Sequence, residues 1–238
     1  MIPLPHPPLA SIGGAIEFIF EPQPSNVTGG KLVGGLSQTL ELALTQLEVT
    51  ALALALSMAV ALPIGLFLGH RGTGELLAVG LGNAGRAIPE LALIAFMAAA
   101  IGVGLLNVTI ALAVLGIPPI LTNAFVGIRQ VDRASVDAAR GIGMTEPEVL
   151  FKVEVPLAIP TLMSGIRGAT VNIVATATIA PLAGVLTLGD FIINRNVYGD
   201  DGVLAGAIMV ALLALALEFS LAGLQRLLTS RGLKPSTA

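Results

Sequence analysis

From Val49 to Gly69 the chain carries no charged residue. At 1.5 Å per residue, that run is long enough to cross the roughly 30 Å hydrocarbon core of a bilayer as one helix. Two further runs have the same character: Val108 to Ile128, interrupted only by Pro118-Pro119, and Val203 to Leu217, which extends past Glu218 to Leu224. Two others are less clean. Leu91 to Leu106 is preceded by Arg86 and Glu90 and is expected to begin near Ala87, and Pro156 to Leu182 holds Arg167. The pattern predicts an all-α membrane protein with about five transmembrane helices. Composition agrees: 11% of residues are charged, where a soluble domain carries about a quarter, and the mean hydropathy is +0.91. The absence of cysteine excludes disulfides, thiol catalysis and a Cys-based metal site.

Lys and Arg set the orientation, because short loops rich in them stay in the cytoplasm. Arg71 and Arg86 follow the first span, Arg129, Arg133, Arg140 and Lys152 lie between the third and fourth, and Arg226, Arg231 and Lys234 end the chain. In a five-span chain all three regions fall on one side, so the N-terminus is expected outside and the C-terminus in the cytoplasm. Three regions are predicted. Residues 1–40 form an extracytoplasmic extension, residues 41–228 the transmembrane domain with a cytoplasmic loop at 129–156, and residues 229–238 a basic tail. Met1 to Ala10 is rich in proline without a basic start, a poor signal peptide, which leaves insertion to the first span. Ile12 to Phe20 is too short to cross and contains Glu17, which reads as an interfacial segment. Glu21 to Gly35 reads as an irregular lead-in.

The polar island between Asp132 and Lys152 stands apart from its apolar surroundings. Asp132 is placed to cap a short helix whose Ala134, Ala138 and Ile142 share a face at i, i+4 spacing. Gly141 and Gly143 are expected to end it. Thr145-Glu146-Pro147-Glu148 has the form of a capping box, opening a second short helix to about Val153, with Pro156 starting the next span. Small Ala138 and Ala139 would let a partner approach closely. Two angled amphipathic helices in a cytoplasmic loop suit docking, although any cytoplasmic loop can contain such a pair.

The spacing of this loop is more specific. Asp137-Ala138-Ala139, three residues, Gly143, nine residues and then Val153-Glu154-Val155-Pro156 resembles the EAA loop of ABC-importer permeases, with Asp137 where that family usually has Glu. The resemblance extends through Ala87-Ile-Pro-Glu-Leu-Ala-Leu93, Pro118-Pro-Ile-Leu-Thr-Asn123, Gly127-Ile-Arg-Gln-Val-Asp132, Gly165-Ile-Arg-Gly-Ala-Thr170, Ala175-Thr-Ala-Thr178 and Leu188-Gly-Asp-Phe191. It covers roughly Val49 to Leu224 and is nearest the glycine betaine, choline and carnitine branch. Glu90 stands where that branch more usually has a small hydroxyl residue, Val185-Leu-Thr187 replaces a more glycine-rich stretch, and the first 40 residues have no counterpart.

The resemblance implies the type I importer permease fold in the cell membrane and import of compatible solutes by alternating access; another small solute such as an amino acid is the alternative. It implies two cytoplasmic ATPase subunits, a second permease copy or paralogue, an extracytoplasmic binding protein and surrounding lipid. It also implies ATPase coupling through Asp137, Ala138, Ala139, Arg140, Gly143, Met144, Thr145 and Glu148. The chain lacks a GxxxxGK[ST] loop, so ATP and Mg are expected on the ATPase partner, and the chain is expected to be non-catalytic. An ion-gradient-driven transporter would need a functional acid deep in a span, a place that only Glu90 and Glu218 approach.

Arg167 within a span must face protein, water or a headgroup. A pairing with Glu90 or a backbone carbonyl near the cytoplasmic gate is expected, with snorkelling to the inner surface as the alternative. Arg86 and Glu90, four apart, could pair as a latch or as a plain interfacial ion pair. Asn123, Thr170, Asn172, Thr176 and Thr178 are candidates to line the pathway, or to bond neighbouring helices. Pro118-Pro119 is expected to break the helix ladder. His6 and His70 read as isolated, with no metal or nucleophilic cluster. The basic tail suits topology and headgroups rather than nucleic acid. With no Trp and one Tyr, Tyr198, the chain offers no aromatic cage for a quaternary ammonium, which places that cage in the binding protein.

Overall fold

The computed structural model describes residues 10–27, 29–85 and 87–229. Arg86, His6, Arg231 and Lys234 lie outside them, as does nearly all of the expected tail. After α1 (Ile12–Phe20), β1 (Pro22–Pro24) and β2 (Leu32–Gly34), the chain enters α2 (Gly35–Arg71). There follow α3 (Glu75–Gly85), α4 (Glu90–Ile101) and α5 (Leu105–Arg129). The cytoplasmic segment is α6 (Arg133–Gly141), α7 (Glu146–Val149) and a π turn (Leu150–Glu154), which runs directly into α8 (Val155–Thr176). A 3₁₀ stretch (Ala177–Ala183), α9 (Gly189–Ile193) and α10 (Arg195–Leu228) complete the fold.

Among the described residues, four helical segments are long and apolar enough to cross a membrane: Gly35–Arg71, Leu105–Arg129, Glu146–Ala183 and Arg195–Leu228. The remaining predicted span differs from expectation. It does not begin near Ala87 as one helix; α4 has 12 residues, about 18 Å, which falls short of the core thickness. The crossing is shared with α3, which starts just after the cytoplasmic end of α2 and lies against the middle of α5, Gly82 beside Thr122 and Gly85 beside Pro118. α4 then continues to the outer end, where Gly104 N–H bonds the Ala183 carbonyl at 2.8 Å. Pro89 is the N-cap of α4, so the chain is interrupted where proline disfavours a helical residue before it.

Pro118 and Pro119, by contrast, sit inside an uninterrupted α5. Neither supplies the N–H an α-helix needs, but the helix is held on several sides by α2, α3 and α8, and the expected break does not occur. α2 and α5 form the centre of the bundle. Ser57, Ala61, Gly65 and Gly69 fall on one buried stripe of α2 at every fourth position. Gly65 meets Ala124 and Leu121, and Gly69 meets Ile128 and Phe125. Small residues spaced this way let two backbones approach in lipid, where hydrophobicity gives little drive for helix association.

At some 55 Å, α2 is longer than the bilayer requires, so its first turns project outside. There the N-terminal segment forms a small cap. The lead-in is an antiparallel pair with Pro22 opposite Gly34 and Pro24 opposite Leu32. The segment from Ile12 to Phe20 buries Ala15, Phe18 and Ile19 against α9, α10 and α2, while Ile12, Ile16 and Phe20 remain exposed. Phe18, Phe191 and Tyr198 pack edge to face, with Phe18 and Phe191 centroids 5.2 Å apart. Gly199 has φ +70 and breaks the start of α10, turning Asp201 toward the Ser11 N–H, which it accepts at 3.0 Å.

Candidate functional site

The cytoplasmic segment is built as its sequence predicts at most positions. Asp132 caps α6, accepting from Ala134 N–H at 3.4 Å and Ser135 N–H at 3.2 Å. The Ser135 hydroxyl and then these backbone donors hold the Asp132 carboxyl below its ordinary pKa, because each favours the charged form. α6 ends at Gly141, and the chain turns at Gly143, whose φ of +90 is a left-handed conformation that glycine adopts without steric cost. The Thr145–Glu148 capping box forms, with Thr145 N–H to Glu148 Oε2 at 3.0 Å, and Lys152 Nζ reaches Glu148 Oε1 at 2.7 Å.

Two faces of α6 divide the expected site. Val136 and Ala139 turn inward and join Val149, Ala158 and Ala124 in a buried cluster. Ala134, Ala138 and Ile142 lie on the opposite, exposed face, with Ile142 81% exposed. The two alanines therefore do not act as one surface: Ala138 is free to be approached and Ala139 is core. Asp137 and Arg140 are exposed on the same helix, 3.9 Å apart, and Arg140 forks onto Glu146 through Nε at 3.1 Å and Nη2 at 2.9 Å. Met144 is half-buried against the cluster. The second short helix does not stop near Val153. It passes through the π turn into α8, making the loop from Glu146 onward and the span one continuous rod.

The expected pairing of Arg167 with Glu90 is not formed. Arg167 Nε donates to Glu218 Oε1 at 3.0 Å, Nη2 also contacts Glu218, and Nη1 donates to Gln225 Oε1 at 2.8 Å. Glu218 and Gln225 are seven apart on α10 and so share a face; that face runs beside α8, whereas Glu90 begins α4 on another side of the bundle. The guanidinium is thus fixed against α10. Arg86 lies outside the described residues.

Of the pathway candidates, three bond back to their own helical segments: Asn123 Nδ2 to Pro119 O at 2.8 Å, Thr170 Oγ1 to Ile166 O at 2.8 Å, and Thr178 Oγ1 to Ala175 O at 2.7 Å. Thr176 is buried. Asn172 alone of the five lines a cavity of about 340 Å³, shared with Glu90, Ile88, Pro118 and Pro119 at the interruption between α3 and α4.

Several structural polar residues gave no sequence signal. Gln46 is fully buried, donating to Val174 O at 3.0 Å and accepting from Leu188 N–H at 3.1 Å, which ties α2 to α8 and to the start of α9. Asp190 is buried and accepts from Asn194 Nδ2 at 2.6 Å and the Tyr198 hydroxyl at 2.5 Å. His70 is not isolated: it contacts Glu154 and Glu146. Only their helical spacing linked these carboxylates to the loop, and nothing in the sequence linked them to a residue some eighty positions earlier.

Known proteins resemble the chain along the same stretch that carries these features. A family model described as "Binding-protein-dependent transport system inner membrane component" matches residues 61–232. The carnitine transport permease protein OpuCB of Listeria monocytogenes is 39% identical over 189 residues, covering 79% of this chain and 87% of that one. The glycine betaine/carnitine/choline transport system permease protein OpuCB of Bacillus subtilis (strain 168) is 36% identical over the same length and coverage. The osmoprotectant import permease protein OsmY of Salmonella typhimurium is 35% identical over 175 residues, 71% of this chain and 73% of that one. Among solved structures, an inward-facing form of the MetNI methionine ABC transporter superposes with a TM-score of 0.70 at 19% identity, covering 82% of this chain and 98% of that chain. An amino acid ABC transporter with histidines superposes with a TM-score of 0.61 at 20% identity, covering 79% and 92%. The fold is thus that of an inner-membrane ABC type I permease, and the chain belongs to the binding-protein-dependent transport system inner membrane component family.

Proposed function

We propose that this chain forms half of the translocation pathway of an ATP-driven importer for compatible solutes of the glycine betaine, carnitine and choline class. Two permease subunits, identical or paralogous, would enclose the pathway. Two ATPase subunits would hold ATP and Mg below, and a binding protein would deliver solute from outside. The observation that carries this reading is the exposed face of α6. Ala134, Ala138 and Ile142 present an apolar strip beside exposed Asp137 and Arg140, on a helix whose ends are fixed by the Asp132 cap and by Gly143. A firmly capped, apolar foothold on a loop continuous with a span suits the transmission of force from a cytoplasmic ATPase.

For nucleotide to move the pathway from almost wholly inward-facing to almost wholly outward-facing, it must favour one state by about 5.5 kcal/mol. Asp137, Ala138, Arg140, Gly143, Thr145 and Glu148 would form or hold that contact, with Ala139 and Met144 anchoring it from behind. The 340 Å³ cavity at Asn172 and Glu90 is the place on this chain where solute would pass. Tyr198 is engaged with Asp190 and two phenylalanines, so strong recognition of a quaternary ammonium belongs to the binding protein.

Reconstitution with the cognate ATPase and binding protein tests the reading. ATP-dependent uptake of radiolabelled glycine betaine, carnitine or choline is expected, and methionine and histidine are the controls. Uptake of the controls alone would overturn the solute class. Uptake without any ATPase would overturn the coupling.

A further inference from the structure

His70 lies in the last turn of α2, and its imidazole is a bridge. Nδ1 is 2.5 Å from Glu154 Oε2 and Nε2 is 3.1 Å from Glu146 Oε2. An ionised carboxylate only accepts hydrogen bonds. Each contact needs a proton between nitrogen and oxygen, so the ring is held by both carboxylates at once. Glu154 is 2% exposed, and a buried carboxylate without its partner is expensive. Glu146 is exposed and already forked by Arg140, which in turn meets Asp137. A continuous polar chain thus runs from Asp137 on α6, through Arg140 and Glu146, to His70 on α2 and Glu154 at the root of α8.

The local backbone makes this possible. In a regular α-helix, residues eight apart are offset by about 80° around the axis. Between Glu146 and Glu154 lies the π turn, whose wider coil takes up that offset and brings both carboxylates toward one imidazole. Behind His70, Gly69 lies against Ile128 and Phe125, so a pull on the end of α2 passes directly to α5.

We propose that His70 is a positioning residue for energy coupling: it hands displacement of the 132–149 loop to the inner end of α2 through its two carboxylate contacts. The inference rests on the coupling reading of the loop given above. The charged groups around the imidazole are Glu146 from α7, Glu154 from the π turn, Arg140 from α6, Arg71 on its own helix and Arg129 of α5, which lies against the neighbouring Gly72.

The test uses the assembled transporter in proteoliposomes, with uptake and ATP hydrolysis measured together. The ratio of the two separates coupling from the ATPase's own rate. In His70→Gln, whose single amide cannot span both carboxylates, uptake per ATP is several-fold lower while assembly and ATP hydrolysis are retained, a split that a general loss of fold would not give. Glu146 is exposed, so Glu146→Gln tests the same bridge without endangering the fold, and the ratio is expected to fall there too. A His70→Gln complex that assembles with the wild-type ratio overturns the proposal. If His70→Gln fails to assemble, a wild-type ratio in Glu146→Gln overturns it instead. A disulfide or bifunctional cross-link from Ala138→Cys to the ATPase distinguishes the two levels: its absence sinks the coupling reading itself, and its presence beside an unaltered His70→Gln sinks only the bridge.

Discussion

A single glycine and a single arginine show how far residue chemistry reaches in this protein. Gly143 has φ +90 with nothing within 4 Å of a side chain built there, so substitution there acts through the backbone rather than through a clash. Gly143→Val is expected to turn α6 relative to α7, lowering uptake per ATP hydrolysed while membrane insertion stays normal; an unchanged ratio would separate this turn from coupling. Arg167 holds Glu218 and Gln225 from within the membrane. Arg167→Leu leaves Glu218 facing the bundle without its partner and should lower the thermal midpoint of the solubilised protein. Removing both charges in Arg167→Leu/Glu218→Leu should restore part of that loss, because an unpaired acid costs more than an absent pair. Asp132 gives a pH sign. Its hydrogen bonds lower its pKa, so the cap is complete at neutral pH and is lost as pH falls through the lowered value. Asp132→Ala should speed amide exchange at Ala134 and Ser135, and Asp132→Asn should largely preserve protection.

Among the elements, the pairing of α2 with α5 is the frame on which the others hang. Its closeness depends on the small residues at Ser57, Ala61, Gly65 and Gly69. A Cβ on Gly65 would come within 2.5 Å of the Ala124 methyl and 2.9 Å of the Leu121 carbonyl. Gly65→Val is therefore expected to destabilise by about 1–3 kcal/mol, the usual cost of overpacking. Gly168→Ala, which meets nothing within 4 Å, should be neutral in the same thermal-shift measurement. The Ser57 hydroxyl also lies 2.9 Å from the Ala113 carbonyl across the interface. The small-residue stripe is visible in the sequence once α2 is assigned, but its partner is not, since any neighbouring helix could have filled it. The broken crossing is the opposite case: apolarity marked a span there, and length alone could not show that two short helices share it.

For the whole molecule, the outer cap and the cytoplasmic rod lie at opposite ends of one bundle and are stabilised differently. The cap has its own core around Phe18, which is 1% exposed between Phe191 and Tyr198. Phe18→Ala should cost about 3–5 kcal/mol, and the loss should be confined to that end. Limited proteolysis from outside would then cut within residues 10–34 while the spans stay intact; wild-type resistance would show that the cap is held by something other than its aromatic core. At the other end, the capping box, the glycine turn and the π turn join the loop to α8 as one piece. The sequence by itself determined the membrane class, the polar loop between spans and its caps, because each follows from local periodicity, charge placement or contacts within four residues. Tertiary structure alone decided which polar groups meet: Arg167 with Glu218, Gln46 with Val174 and Leu188, His70 with Glu146 and Glu154. In an apolar bundle each such group must find a partner, but the choice among partners depends on which helix faces which, and no local pattern records that.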